Sequence, residues 1–301
     1  MSAENSPIEE LLELEELDLD LFRSAQPLYK PKGARGLFGG NVISQSLMAA
    51  IRTVPTKYEV HSMHCYFVLA GDASFPILYK VEHVRDGRSY ITRTVQARQK
   101  GRCIFTATIS FQVPAETEMS HSPSFPKGVP VPEKVKDYAA AVKELFKAGA
   151  LSKAEYDTAE EVNRAHPVDT KFVIKTYPDG TPAEDKSRWF WVRARGQIKN
   201  SHAHAMALAY FSDSSLLGTS PWVNNVKGTD ISMMVSLDHT IYFHAPCKAD
   251  EWLLYEMQSP WSGSQRGLVF ARLYSQDGTL VASVIQEGVV RLRKRDSKSK
   301  L

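Results

Sequence analysis

The stretch VASVIQEGVV, residues 281–290, has apolar or small side chains at nearly every position, which is typical of a strand buried on both faces. Gln286 and Glu287 stand in its middle. Burying an amide without a hydrogen-bond partner costs about 1–3 kcal/mol, and burying an unpaired charge costs more. We therefore expect Gln286 to be held by partners. Glu287, one position further, points to the opposite face and is predicted to pair with an arginine.

The turn before this strand has a counterpart earlier in the chain. RQKG, which ends at Gly101, and SQDG, which ends at Gly278, both indicate hairpin turns. The strands that follow, IFTATISF and LVASVIQ, share one apolar pattern, and His64 and His239 precede the two turns at nearly equal distances. Further upstream, GGNVISQSLMAAIRTV and HAHAMALAYFSDSSLL each have helical spacing. The chain is therefore predicted to contain two copies of one unit.

Each copy is predicted to contain a long helix followed by long antiparallel strands, which places the chain in the α+β class. The near-continuous apolar runs in the strands indicate that a helix covers one face of each sheet. The predicted organisation is an N-terminal unit at 1–113, a helical connector at 114–166, a C-terminal unit at 167–293 and a basic tail at 294–301. In the connector, HSPSFPKGVPVPEK indicates a proline-rich loop before a helical segment.

Composition and charge exclude several classes of protein. Of 301 residues, 43% are apolar and 24% are charged, which is typical of a soluble globular protein. No run of 18 apolar residues occurs, so no membrane span is expected, and the acidic N-terminus predicts no secretory or transit peptide. The net charge of +3 lies largely in the tail and does not indicate nucleic-acid binding. Cys65, Cys103 and Cys247 are predicted to be reduced thiols.

The motifs of several common enzyme classes are missing from the sequence. It has no G-x-S-x-G, no P-loop and no G-x-G-x-x-G. His61 and His64 would point to opposite faces of a strand, and His202 and His204 fall on different sides of a helix. We therefore predict no metal site and no cofactor.

Five motifs in order carry a resemblance to a known family. GLFGGNVISQSLMAA, VHSMHCYFVLAGD, VSLDHTIYFHAP, DEWLLY and VASVIQEGVVR resemble the acyl-CoA thioesterase II family, from about Leu11 to Arg291. The resemblance implies a double hotdog, in which a long helix is wrapped by a curved antiparallel sheet twice in one chain. It also implies an enzyme that hydrolyses fatty acyl-CoA to fatty acid and CoA, and that forms a homo-oligomer.

The family holds a water with an Asp, a Ser or Thr, and a Gln, which correspond here to Asp213, Ser236 and Gln286. The resemblance implies that Asp213 acts as general base or orients the water, and that the other two residues fix its position. Our candidates for the backbone contact with the substrate oxyanion are Gly39 and Gly40, which open the first helix, because glycine allows a ligand to approach the backbone closely.

The first copy lacks these polar groups. Ile109 stands at the strand position that matches Gln286, and the first helix, predicted at 39–53, contains no carboxylate. We therefore expect one water-activating centre per chain, with the first copy forming part of the pocket wall.

Other interpretations remain open at this point. Asp213 would otherwise be a helix cap, Ser236 an ordinary strand serine and Gln286 a partner of nearby backbone, while Asp238 and His239 are rivals for the acid and base roles. Two further functions are a hydratase or dehydratase of the hotdog type that acts on enoyl-CoA, and a non-catalytic acyl-CoA-binding protein. The hydratase would use a His and a carboxylate in one pocket, either His204 with Asp213 or His239 with Asp238.

The chain ends in Ser299, Lys300 and Leu301, which match the peroxisomal import signal S-K-L. The signal predicts the peroxisome matrix as location and the import receptor as partner. The alternative is a coincidental lysine-rich tail.

Overall fold

The structure, a computed structural model, describes residues 6–32 and 34–293. The elements of the N-terminal unit are α1 (Pro7–Leu11), β1 (Leu14–Asp18), β2 (Leu21–Ser24), α2 (Gly39–Ile51), β3 (Glu59–Phe67), β4 (Leu78–Asp86), β5 (Tyr90–Gln99) and β6 (Arg102–Gln112). The connector contributes a 3-10 turn (Pro132–Lys134), α3 (Tyr138–Lys147) and α4 (Lys153–Ala165). The elements of the C-terminal unit are β7 (Val168–Val173), a 3-10 turn (Ala183–Asp185), β8 (Ser187–Ala194), α5 (Ser201–Ser212), α6 (Thr219–Val223), a 3-10 turn (Gly228–Asp230), β9 (Ile231–Ser236), β10 (Asp238–Phe243), β11 (Leu253–Gly263), β12 (Arg266–Ser275) and β13 (Leu280–Leu292).

The strands form one antiparallel sheet in the order β1-β2-β4-β5-β6-β3-β10-β13-β12-β11-β8-β7, with β9 paired to β13. Read outward from the β3–β10 pair, both halves have the same strand order. At this central seam His64 lies opposite Thr240 and Met63 lies opposite Ile241. The predicted α+β class and the predicted duplication are therefore confirmed.

The ladder registers align the two copies residue by residue. Ile104 in β6 and Val281 in β13 are each bulged, three residues after the turn glycine. Ile109 and Gln286 both lie five residues beyond the bulge, so they hold matching positions, as predicted. Val60 in β3 pairs with Phe111, just as Ser236 in β9 pairs with Gly288. Ser236 and Gln286 of the C-terminal unit are thus matched in the N-terminal unit by the aliphatic residues Val60 and Ile109.

The expected equivalence of His64 and His239 is wrong by one residue. Met63 pairs with Ile109. Thr240 pairs with Ile285, so in this antiparallel register the preceding residue, His239, lies opposite Gln286. Because Ile109 and Gln286 match, Met63 and His239 hold matching positions. Both are fully buried, whereas His64 is exposed. Because successive strand residues face opposite sides, a shift of one residue moves a side chain from the core to the surface.

The two long helices lie in the interior and pack against each other. α2 is buried along almost its whole length, which fits its position between the sheet and α5. Ser44 Oγ in α2 donates to the carbonyl oxygen of Met206 in α5 over 2.8 Å. At Gly40 the helices are so close that an added Cβ would lie 2.2 Å from the Tyr210 carbonyl oxygen.

The connector covers the outer face of the C-terminal half of the sheet. Trp189, Trp191, Leu254 and Tyr274 form a cluster on that face, and connector residues such as Phe125 pack against it. The segment predicted as one helical stretch is divided into α3 and α4, because Gly149 adopts a left-handed φ of 72° between them. None of the helices within residues 6–32 and 34–293 is long and apolar enough to cross a membrane.

We predict that Gly40→Ala destabilises the protein by about 1–3 kcal/mol, because the new methyl group must push α2 away from α5. The matched control is Gly228→Ala, since a Cβ at Gly228 meets no atom within 4 Å. The control should change the free energy of unfolding, measured with denaturant, by less than about 0.5 kcal/mol. Equal stability of the two variants would show that the helix contact is not tight.

Candidate active site

Three side chains predicted from separate parts of the sequence meet at one point. The Gln286 Nε2 amide donates to Asp213 Oδ1 over 2.7 Å and to Ser236 Oγ over 3.0 Å. Gln286 is fully buried in the middle of β13, whereas Asp213 and Ser236 are partly exposed. Both amide hydrogens of Gln286 are thereby used, so the expectation that this buried amide has partners is confirmed.

Asp213 is placed by the end of one helix and the start of another. It is the C-terminal cap of α5, and Ser215 turns the chain away with a left-handed φ of 62°. Asp213 Oδ2 accepts a hydrogen bond of 3.0 Å from the Gly40 amide in the first turn of α2. The positive end of the α2 dipole therefore faces the carboxylate, while the negative end of α5 lies behind it.

Burial raises the pKa of the Asp213 carboxyl, and the hydrogen bonds from Gln286 and Gly40 lower it by a smaller amount. Desolvation disfavours the charged form, which is the form that the two donors stabilise. The net result is a carboxylate that binds a proton more readily than an exposed aspartate does.

Gly39 and Gly40 occupy different roles at the start of α2. The Gly40 N–H donates to Asp213 and so holds the carboxylate itself. Gly39 borders the pocket, and an added Cβ would lie 2.7 Å from Asp213 Oδ2 and 2.9 Å from the Phe67 ring. The Gly39 N–H belongs to the first turn of α2, where backbone amides have no acceptor within the helix. Glycine at these two positions is required by space.

A pocket of about 840 Å³ opens in front of Asp213 and Ser236 and lies between the two units. The N-terminal unit contributes the chain around the start of α2, the end of β3 and the start of β6, including Leu37, Phe38, Phe67, Leu69, Ile104 and Phe105. The C-terminal unit contributes the residues after α5 and the strand β9, including Leu216, Leu217, Met233, Met234 and Val235. Most of this wall is apolar, so Asp213 and Ser236 face a space suited to a hydrocarbon chain.

A larger depression of about 1200 Å³ shares Ser232 with this pocket but does not include the trio. It lies at the end of β13 and is bordered by Arg291 and Arg293. The smaller pocket is the candidate active site, because Asp213 and Ser236, which share the Gln286 amide, line it.

The rival candidates hold other positions. Asp238 Oδ1 accepts from the Glu287 backbone amide, and His239 is fully buried, with Nε2 at 2.9 Å from Ser212 Oγ. His204 Nδ1 accepts from the Ala249 amide and lies 3.8 Å from an Asp250 oxygen. The described residues that line the pocket include no histidine.

The ion pair predicted for Glu287 is confirmed, and its partner is Arg266, with Nη1 at 3.2 Å from Oε2. Sequence reasoning did not find the contact between the Gly40 amide and Asp213, nor the pocket residues of β9 other than Ser236. Within the residues that the structure describes, no cluster of three or more His, Cys, Asp or Glu side chains has the geometry to hold a metal ion.

Comparison with known proteins gives consistent results for both halves. Models of the acyl-CoA thioesterase N-terminal and C-terminal domains match residues 27–112 and 144–290. The chain is 41% identical to human acyl-coenzyme A thioesterase 8, over 97% of this chain and 91% of the relative. It is 31% identical to peroxisomal acyl-coenzyme A thioester hydrolase 1 of Saccharomyces cerevisiae, over 95% and 94%.

Solved structures agree on the fold. The crystal structure of an acyl-CoA thioesterase II from Mycobacterium marinum matches with a TM-score of 0.76 and 33% identity, covering 95% of this chain and 99% of that one. A protein with a hotdog fold from Alicyclobacillus acidocaldarius matches with a TM-score of 0.72 at 19% identity, covering 95% and 98%, and supports the fold alone. The predicted double hotdog is confirmed.

We predict that the Asp213 carboxyl titrates above the ordinary aspartate pKa of about 3.9. Because the pKa is raised in the folded state, Asp213 contributes stability that is fully present below the unfolded pKa and lost as pH rises through the folded pKa. Carboxyl 13C NMR with Asp213→Asn for assignment measures the titration. In Gln286→Ala the pKa should rise further, because a donor to the charged form is lost. An unshifted or lowered pKa in the wild type would contradict the expected effect of burial.

Proposed function

Because this chain belongs to the acyl-CoA thioesterase family, we propose that it hydrolyses fatty acyl-CoA thioesters to fatty acid and CoA with a water prepared by Asp213, Ser236 and Gln286. The observation that carries the assignment of residues is the double hydrogen bond from Gln286 Nε2 to Asp213 and Ser236 at the wall of the pocket. One amide thus fixes the distance between a base and a hydroxyl group.

The proposed step uses the free capacity of these groups. Ser236 Oγ accepts from Gln286, so its own hydrogen is available to the water oxygen. The water donates one hydrogen to Asp213, and its remaining lone pair attacks the thioester carbonyl carbon. The new C–O bond forms, the C–S bond breaks, and the proton taken by Asp213 passes to the leaving CoA sulfur. No covalent enzyme intermediate is needed.

The developing oxyanion requires a donor, and we assign this role to the Gly39 N–H. The amide lies at the positive end of α2, beside Asp213, and borders the pocket. Gly40 is not available for it, since its N–H is bonded to Asp213. Of the two glycines predicted from the sequence, Gly39 therefore faces the substrate and Gly40 holds the base.

The two depressions suggest how the substrate lies. The acyl chain fills the apolar pocket between the units, and the CoA moiety extends past Ser232 toward Arg291 and Arg293. Guanidinium groups suit phosphate oxygens because they offer paired donors and a permanent charge.

Hydration of an enoyl-CoA is less well supported than hydrolysis. That chemistry needs a histidine and a carboxylate facing one pocket, and the histidines considered for it lie elsewhere: His204 contacts the Ala249 amide and His239 contacts Ser212. A purely binding protein would not require a buried amide that joins a carboxylate to a hydroxyl group.

The deciding experiment measures release of free CoA from palmitoyl-CoA with a thiol reagent. We expect kcat to fall by about 100- to 1000-fold in Asp213→Asn and in Gln286→Ala, because each change removes a group that prepares the water. The matched controls are Asp238→Asn, which keeps the oxygen that accepts from Glu287, and Ile109→Val at the position of the N-terminal unit that matches Gln286. Both should stay within about threefold of the wild type.

Other results would change the assignment. Release that survives in Asp213→Asn and Gln286→Ala would make the trio structural. Absence of release at every chain length, together with addition of water to a 2-enoyl-CoA, would favour the hydratase. Tight acyl-CoA binding without turnover would favour the binding protein.

We also propose that the protein acts in the peroxisome matrix. A peroxisomal relative at 31% identity and the terminal S-K-L sequence support this location. Ser299, Lys300 and Leu301 lie outside the described residues. The predicted homo-oligomer and the domain boundaries at 113, 166 and 293 stay predictions.

Removal of Leu301 should abolish import, because the receptor reads the complete tripeptide. The measurement is fluorescence microscopy of a protein tagged at its N-terminus, with a peroxisomal marker in the same cells. The matched control is Ser297→Ala, which lies just outside the tripeptide and should leave import intact. Peroxisomal import of the shortened protein would refute the role of the tripeptide.

A further inference from the structure

His239 lies directly behind the trio, and its hydrogen bonds define its tautomer. It is fully buried, and its Nε2 is 2.9 Å from Ser212 Oγ. The single hydroxyl hydrogen of Ser212 is donated to the Ala209 carbonyl oxygen over 2.8 Å. We therefore assign the ring hydrogen to Nε2, which donates it to Ser212, and Nδ1 is then an acceptor. Burial lowers the pKa of His239 to about 3, so the ring is neutral near pH 7.

Ser212 is the residue before Asp213 at the end of α5, and it is held from two sides. The His239 ring donates to its hydroxyl group, and the Tyr255 hydroxyl donates to its carbonyl oxygen. The backbone that presents the Asp213 carboxylate is thus fixed by side chains from β10 and β11. A substitution at His239 therefore alters the position of Asp213 through Ser212, the residue that precedes it.

Two buried acceptors near this point have no donor among the described residues. They are His239 Nδ1 and Gln286 Oε1. Thr240 of β10 pairs with Ile285 of β13 in an antiparallel register. His239 precedes Thr240 and Gln286 follows Ile285, so the two residues lie opposite each other, and both are fully buried. Side chains opposite each other in such a pair lie about 5 Å apart at Cβ. Two acceptors cannot bond to each other, but one water has a hydrogen for each.

Resting on the proposed function, we propose that His239 is a positioning residue of the hydrolytic centre, which holds Ser212 through Nε2 and shares one buried water with Gln286 Oε1 through Nδ1. This water is distinct from the attacking water. Neither His239 nor Gln286 is exposed to the pocket, whereas Asp213 and Ser236 line it. The shared water fixes the amide plane of Gln286, and the amide in turn fixes the two groups in contact with the reacting atoms.

The first test needs neither turnover nor a variant. A crystal structure of the wild-type protein at a resolution that shows ordered water should place one water within about 2.6–3.2 Å of both His239 Nδ1 and Gln286 Oε1. Direct contact of either atom with a protein donor, or two separate solvent positions, would overturn the shared water. This result stands whether or not the protein hydrolyses acyl-CoA, so the two proposals fail independently.

The second test separates the two ring nitrogens by kinetics. In His239→Gln the amide nitrogen replaces Nε2 and the acceptor at Nδ1 is lost, whereas in His239→Asn the amide oxygen replaces Nδ1 and the donor to Ser212 is lost. We expect kcat to fall about tenfold or more in both, with KM for the acyl-CoA within about twofold, because the reacting groups are misplaced while the pocket is unchanged.

The matched control is Met63→Leu, since Met63 holds the position of His239 in the N-terminal unit and is equally buried. It should change the Tm but not kcat. A loss confined to His239→Asn would leave only the Ser212 contact and overturn the shared water. Unchanged kcat in every one of these two variants that folds would overturn the positioning role.

Discussion

The hydrogen bond from the Gly40 amide to the Asp213 carboxylate is the contact on which the site depends. It joins the start of α2 in one unit to the end of α5 in the other, over 3.0 Å. The carboxylate caps a helix that is not its own, and the positive end of that helix offsets part of the cost of burying a charge. The contact requires the two helices to approach closely. Glycine at positions 39 and 40 allows this approach, because a Cβ at either position would collide with Asp213 or with the Tyr210 carbonyl oxygen.

Burial acts on the site in two opposite ways. It raises the pKa of Asp213 and so makes the carboxylate a better proton acceptor, and it lowers the pKa of His239 and so keeps that ring neutral. Gln286 is uncharged, and its side-chain nitrogen donates to the Asp213 carboxylate. A neutral amide can connect a base to its support without adding a second ionisable group that would compete for the proton.

Periodicity and the cost of burial predicted much of this from the sequence. The repeat is predictable because hairpin turns and apolar strands have strong local signals, and a partnered Gln286 is predictable because an unpartnered amide destabilises an apolar strand. The identity of its partners came from resemblance to a family. The Gly40–Asp213 contact was not predictable, since no local pattern links residues 173 positions apart. The equivalence of His64 and His239 failed because the spacing between strand and turn differs between the copies.

The aliphatic residues at the positions that match Ser236 and Gln286 have a consequence for how such a site evolves. In a dimer of identical subunits, every substitution appears at both symmetric positions, so neither centre can be given up without loss of the other. Joining the two units in one polypeptide removes this constraint. Val60 and Ile109 can then contribute to the stability of the core, while Ser236 and Gln286 at the matching positions retain polar groups. The two units therefore share one architecture but differ in the side chains that they place at equivalent positions.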